Sequence, residues 1–99
     1  MRHVTAVIKG FSCKRTAAIF AGHVMKGFPS DIIPTARRKL AMLHAATALA
    51  DPKVPPANRL EALKRDRAGQ HSIRINDQWR LCFTWRDGDA FDVEITDYH

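Results

Sequence analysis

Apolar residues alternate with polar ones at the two ends of this chain and recur at helical spacing in between. Val4, Ala6 and Ile8 alternate against Thr5 and Val7, which predicts a strand over residues 3–8, broken at Gly10. Ser12 is the expected N-cap of a short helix from Cys13 to Ala21. Gly22, Gly27 and Pro29 mark a loop. A longer helix is expected from Ile33 or Pro34, because proline is tolerated in a first turn. Its apolar stripe is Ala36, Leu40, Leu43, Thr47 and Ala50, the spacing of one buried face. Arg37, Arg38 and Lys39 fall largely off that stripe, Asp51-Pro52 ends the helix, and Pro55-Pro56 makes a stiff link.

From Arg59 onward the period shortens to that of strands. The pattern predicts strands over 59–63, 70–75, 79–85 and 90–96, with a charged loop at 64–69. Apolar residues take odd numbers in the last three: Ile73 and Ile75; Trp79, Leu81, Phe83 and Trp85; Phe91, Val93 and Ile95. Cross-strand partners share a face, so both turns must keep odd positions opposite odd positions. Three-residue turns at 76–78 and 87–89 satisfy that requirement. They pair Ile75 with Trp79, Arg74 with Arg80, Trp85 with Phe91 and Arg80 with Thr96. The polar face then carries Arg74, Arg80 and Thr96 in a row, with Tyr98 diagonal to Arg80. An α+β domain results: a twisted antiparallel sheet with helices packed on its apolar face.

Ninety-nine residues, 45% of them hydrophobic, are expected to form a single domain over 1–99. Charge narrows the partners. The formal net charge is +6, an excess that favours a polyanion such as nucleic acid. Two cysteines, Cys13 and Cys82, make neither a disulfide framework nor a zinc spacing, which fits a reducing cytoplasm. No apolar run approaches the roughly 20 residues that span a bilayer, so no membrane is expected as partner.

The chain offers no Ser-His-Asp elbow, glycine-rich phosphate loop or metal spacing. His3, His23, His44 and His71 are scattered and read as surface or packing residues rather than ligands. What gathers near the polar face is Glu61, Lys64, Arg67, Arg74, Arg80, Tyr98 and His99. That is a set of cations with a carboxylate, a phenol and an imidazole. RNA cleavage asks for little more: a base for the 2′-hydroxyl, cations for the phosphate and an acid for the leaving 5′-oxygen, without metal or cofactor. A merely solvated sheet face reads equally well from composition and register alone.

Leu60-Glu61-Ala62-Leu63-Lys64, Asn76-Asp77-Gln78-Trp79-Arg80 and the closing Asp97-Tyr98-His99 together resemble the signature of HigB toxins in the RelE/ParE superfamily. The resemblance covers nearly the whole chain and is strongest from Arg37 onward. It implies a RelE-like fold with two or three helices on one face of the sheet. It implies also a type II toxin that cuts messages in the ribosomal A site and is neutralised by a HigA-like helix-turn-helix antitoxin. Operator DNA would be met only through the antitoxin complex. By this resemblance Arg80 matches a phosphate-contacting arginine, Lys64 a basic residue near the site, and Asp97, Tyr98 and His99 a catalytic triplet. Glu61 stands where many relatives place a histidine.

Together these readings assign catalysis to His99, Tyr98, Asp97, Arg80, Glu61 and Lys64. RNA or ribosome contact is assigned to Arg65, Arg67, Arg74, Arg37 and Arg38. His99 is expected as acid and Glu61 as base, with the reverse open. Two alternatives stand beside an mRNA endonuclease: a RelE-fold module that binds ribosome, RNA or antitoxin with weak or no catalysis, and a ParE-like gyrase poison.

Overall fold

The computed structural model describes residues 8–23, 26–45 and 59–97, apart from the side chain of Arg65. Helix α1 spans Lys14–Phe20 and α2 spans Ile33–His44, the latter preceded by a 3-10 turn at Ser30–Ile32. Strands β1 (Glu61–Ala62), β2 (Gln70–Arg74), β3 (Trp79–Arg86) and β4 (Asp89–Asp97) follow. They form one antiparallel sheet in the order β1-β2-β3-β4. Both helices pack on the same face, so the α+β architecture read from the sequence is the one observed.

Ser12 is not the cap of α1. The N-cap is Cys13, without a side-chain cap bond, and the Ser12 hydroxyl donates instead to the Asp92 carbonyl at 3.3 Å. Gly10 and Ser12 exchange backbone hydrogen bonds with Val93, and Ile8 and Phe11 form parallel bridges to Ala90 and Val93. The stretch before α1 therefore runs along the outer edge of β4, which covers an edge that would otherwise be open to pairing. Most of the strand expected over 3–8 lies outside the described residues, as do Thr47, Ala50 and the link beyond them.

The stripe on α2 is buried at Ile33, Ala36, Leu40 and Leu43. It packs with Ile19 of α1 against Ile73, Leu81, Phe83, Val93 and Ile95 of the sheet. A buried hydrogen bond fastens the layers: the Ile95 amide donates to the Thr16 hydroxyl at 3.0 Å. Lys39 departs from the reading that placed it off the buried face, because it is only 8% exposed. A lysine stem is long enough to run along apolar surface beside such a stripe.

The first expected register holds, with Arg74 opposite Arg80 and the Ile75 amide bonded to the Trp79 carbonyl. The second hairpin needs correcting. Its turn has two residues, with Trp85 opposite Ala90 and Arg86 opposite Asp89. Asp87 and Gly88 both have positive φ, 54° and 83°, the backbone of a type I′ turn suited to strand twist. A bulge then restores the expected pairing of Arg80 with Thr96: Thr84 faces Phe91 but Cys82 faces Glu94. Asp92 supplies the extra residue at φ 54°. Before the bulge the apolar face is even-numbered, so Ala90 is fully buried and Phe91 lies on the other side, under the Arg86 guanidinium at 4.4 Å. The strand expected over 59–63 shrinks to two residues, with Arg59 at φ 48° leading into it.

Candidate active site on the polar face of the sheet

The face opposite the helices is built around Arg80 in the middle of β3. Its side chain lies away from the apolar core, as the register predicts, yet the residue is only 7% exposed. Arg80 Nε donates to the Ser72 hydroxyl at 2.7 Å. Its Nη2 donates to the Arg59 carbonyl, also at 2.7 Å, and lies 3.5 Å from the Ser72 carbonyl. A buried cation requires such partners. The same Nη2 faces Glu61 Oε1 at 3.4 Å, across the short strand β1. The Glu61 side chain is 53% exposed, so the pair has a buried cation and a wet anion. Removing Arg80 would therefore take away more than a contact for a ligand, because the Ser72 hydroxyl and the Arg59 carbonyl depend on its guanidinium.

To one side, the loop after β1 folds as a 3-10 turn at Arg65–Arg67. Arg67 pairs with Glu94 of β4 at 3.3 Å and donates to Gln70 at 2.8 Å. Arg67, Glu94 and Arg80 all act electrostatically on Cys82, whose buried thiol titrates above its ordinary range chiefly because of desolvation. Lys64 is exposed at the root of this loop. On the other side, at the end of β2, Arg74 pairs with Asp77 in the following turn. Burial, with Arg38 and Arg74 adding like charge, pulls the Lys39 ammonium below its ordinary range. Lys39 is thus a covered cation within electrostatic reach of Arg74 that pattern reading missed. The hint available was a basic residue one position before a stripe leucine.

Asp97 lies at the end of β4 opposite Trp79, and its carboxylate accepts from the Gln78 side-chain Nε2 at 3.1 Å. The structure brings Glu61 and Arg80 into contact and holds Arg67 and Arg74 on the flanks. Arg37 goes elsewhere. Its guanidinium donates to the Ile19 carbonyl at 3.0 Å and the His23 carbonyl at 2.9 Å, closing off the end of α1. Arg38 is exposed on α2. Tyr98, His99 and the Arg65 side chain lie outside the described residues. The histidines that are described pack or lie exposed: His44 accepts from the Ile8 amide and meets Phe20 edge-on, His71 stacks on Phe83, and His23 is exposed.

A small antiparallel sheet with its helices on one face and an anchored arginine on the other defines a small α+β domain with a cationic working face. The comparisons narrow it. The family model for HigB, described as a RelE-like toxin of type II toxin–antitoxin systems, matches residues 15–99. Toxin HigB-1 of Vibrio cholerae is 47% identical over 67 residues, covering 68% of this chain and 70% of that protein. Endoribonuclease HigB of Proteus vulgaris is 30% identical over 93 residues, covering 94% of this chain and 100% of that one. An uncharacterized protein of Haemophilus influenzae is 34% identical over 69 residues, covering 70% of this chain and 68% of its own length. The chain belongs to the HigB family of RelE-like toxins of type II toxin–antitoxin systems.

Proposed function

We infer that this toxin is an endoribonuclease that cuts translated messenger RNA on the ribosome. The observation that carries the reading is Arg80. Its guanidinium is fixed by Ser72 and Arg59 on the face away from the helices, with a carboxylate beside it and basic residues on both flanks. A cation held in advance stabilises charge developing on a phosphate without reorganising at the moment of reaction. A base removes the 2′-hydroxyl proton, the 2′-oxygen attacks the adjacent phosphorus, and the 5′-oxygen leaves with a proton from an acid. A 2′,3′-cyclic phosphate remains on the upstream fragment. Glu61 is the base and His99 the acid in this scheme, Tyr98 and Asp97 orient the substrate, and Arg80 holds the phosphate. Lys64, Arg65, Arg67 and Arg74 contact the RNA backbone, with Arg38 on the adjacent helix. No cofactor takes part.

The antitoxin is a HigA-like helix-turn-helix protein, and the toxin works in the cytoplasm. The name of the Proteus vulgaris relative supports the chemistry. The test is to incubate the purified toxin with programmed ribosomes and with the same message alone, and to map new 5′ ends. Cuts within the A-site codon that require the ribosome are expected. They should be lost when residues 98–99 are removed. Intact message on toxin-bound ribosomes would overturn the reading in favour of a binding module.

A further inference from the structure

We propose that Glu61 is an internal competitor for the anion site on Arg80: it occupies the outer side of the guanidinium until an RNA phosphate, held at further points, displaces it. The proposal rests on the reading of Arg80 as the phosphate-holding residue. The geometry separates two jobs that a carboxylate beside an arginine can do. One is to position the guanidinium. That is already done by the Ser72 hydroxyl of β2 and the Arg59 carbonyl just before β1, each at 2.7 Å. Glu61 stands farther off, at 3.4 Å. The other job is to fill the direction from which an anion would approach, and the exposure pattern fits it. The arginine side chain is 9% exposed and the glutamate 53%, so the carboxylate is the solvent-facing member of the pair.

Displacement is cheap on the glutamate's side. Glu61 sits on a strand of two residues at the edge of the sheet, and its side chain, already half in water, loses little when it moves off Nη2 toward the position beside the phosphate from which a base reaches the 2′-hydroxyl. The arginine, by contrast, cannot follow it, because Ser72 is fully buried and keeps Nε in place. A carboxylate tethered next to its partner has a high effective concentration, so a free monoanion competes poorly with it. An RNA strand gripped also by Arg67, Arg74 and Lys64 arrives with an effective concentration of its own. The pair thus filters ligands: isolated phosphate is turned away and backbone phosphate already anchored on the surface is admitted.

The full-length chain is tested as wild type, Glu61→Gln, Arg80→Gln and the double variant, with Asp87→Asn as a charge-matched control at the distant hairpin turn. Two quantities are read: affinity for a short RNA carrying 2′-O-methyl groups, which cannot be cleaved, and the Arg80 Nε–H resonance during titration with inorganic phosphate. Glu61→Gln is expected to bind the RNA about three- to tenfold more tightly than either wild type or Asp87→Asn. The gain should vanish in the Arg80→Gln background. Phosphate should move the Arg80 resonance in Glu61→Gln at concentrations that leave the wild type unmoved. RNA binding by Glu61→Gln that equals or falls below wild type, while Arg80→Gln weakens it, overturns the competitor and keeps Arg80 as the phosphate site. Arg80→Gln binding as tightly as wild type overturns both. If Arg80→Gln does not fold, the resonance in Glu61→Gln decides alone: no movement with phosphate overturns the proposal.

Discussion

Replacing Arg80 by alanine should damage this protein in two separable ways. The first is structural. Arg80→Ala removes the partner of the Ser72 hydroxyl, which belongs to a fully buried residue, and of the Arg59 carbonyl. A polar group left unpaired in a buried place costs about 1–3 kcal/mol, and the carbonyl of the exposed Arg59 can turn to water and adds little, so the loss is about 1–3 kcal/mol. The Glu61 pair adds little to this sum, since its carboxylate is half in water and such pairs contribute about 0–1 kcal/mol. Against a total stability of about 5–15 kcal/mol this is a large fraction. At roughly 4–8 °C per kcal/mol for a domain of this size, the midpoint should fall by about 4–24 °C. The second effect is on the reaction, with a further loss on the order of 10²–10³ in cleavage rate if the guanidinium stabilises the phosphate. Thermal unfolding followed by circular dichroism measures the first. Cleavage on programmed ribosomes, run well below the variant's own midpoint, isolates the second. A midpoint within about 3 °C of wild type, a shift worth well under 1 kcal/mol, would refute the account of how Arg80 is held. Normal cleavage by the folded variant would refute the account of what it does.

Arg37→Met should lower stability by about 1–2 kcal/mol while leaving RNA affinity and its salt dependence unchanged, because its donors serve the Ile19 and His23 carbonyls; a shallower salt slope in a binding titration would show that it contacts phosphate instead. The two thiols should differ sharply toward a disulfide reagent in the native state. Burial raises the Cys13 thiol, but hydrogen bonds from Thr16 and Arg15 outweigh it and bring the thiol below its ordinary value, whereas Cys82 is fully buried and raised. Cys13 reacts first and Cys82 only on unfolding; equal rates would contradict the burial of Cys82. A thiol whose folded pKa is raised contributes stability that is present below its unfolded value and lost as pH climbs through the folded one. Wild type should therefore lose stability above about pH 8.5–9 relative to Cys82→Ala, measured by denaturant unfolding against pH.

The strands were legible because a period of two leaves a visible mark over five to nine residues, and the first hairpin followed from parity alone. Parity failed at Asp92 because a bulge inserts a residue without altering the local composition. Phe91 looks more like core than Ala90, yet the smaller residue is the buried one. The stripe on α2 was legible for the same reason as the strands, and Lys39 was misread because a charged head hides an apolar stem. Within the site, the sequence gathered Glu61 and Arg80 near one polar face, but their direct pairing across β1 and β2, and the anchoring of Arg80 by Ser72 and Arg59, came only from the fold. The true partners of Arg37 are backbone carbonyls 14 and 18 residues away, and no side-chain pattern announces those.

The bulge at Asp92 acts on β4 as a reading-frame shift acts on a message. On the hairpin side of it even-numbered residues face the helices, and on the far side odd-numbered ones do, so Val93 and Ile95 face inward while Thr96 lines up with Arg80. Were Asp92 paired as an ordinary ladder residue instead of being bulged out, the following segment would turn inside out, carrying Val93 and Ile95 to the wet face and Glu94 and Thr96 into the core. A change confined to the turn at Asp87-Gly88 meets the bulge before it meets the site. The tip of the hairpin is therefore set apart from the chemistry: the frame that presents the last strand to Arg80 is fixed at Asp92 and not at the turn.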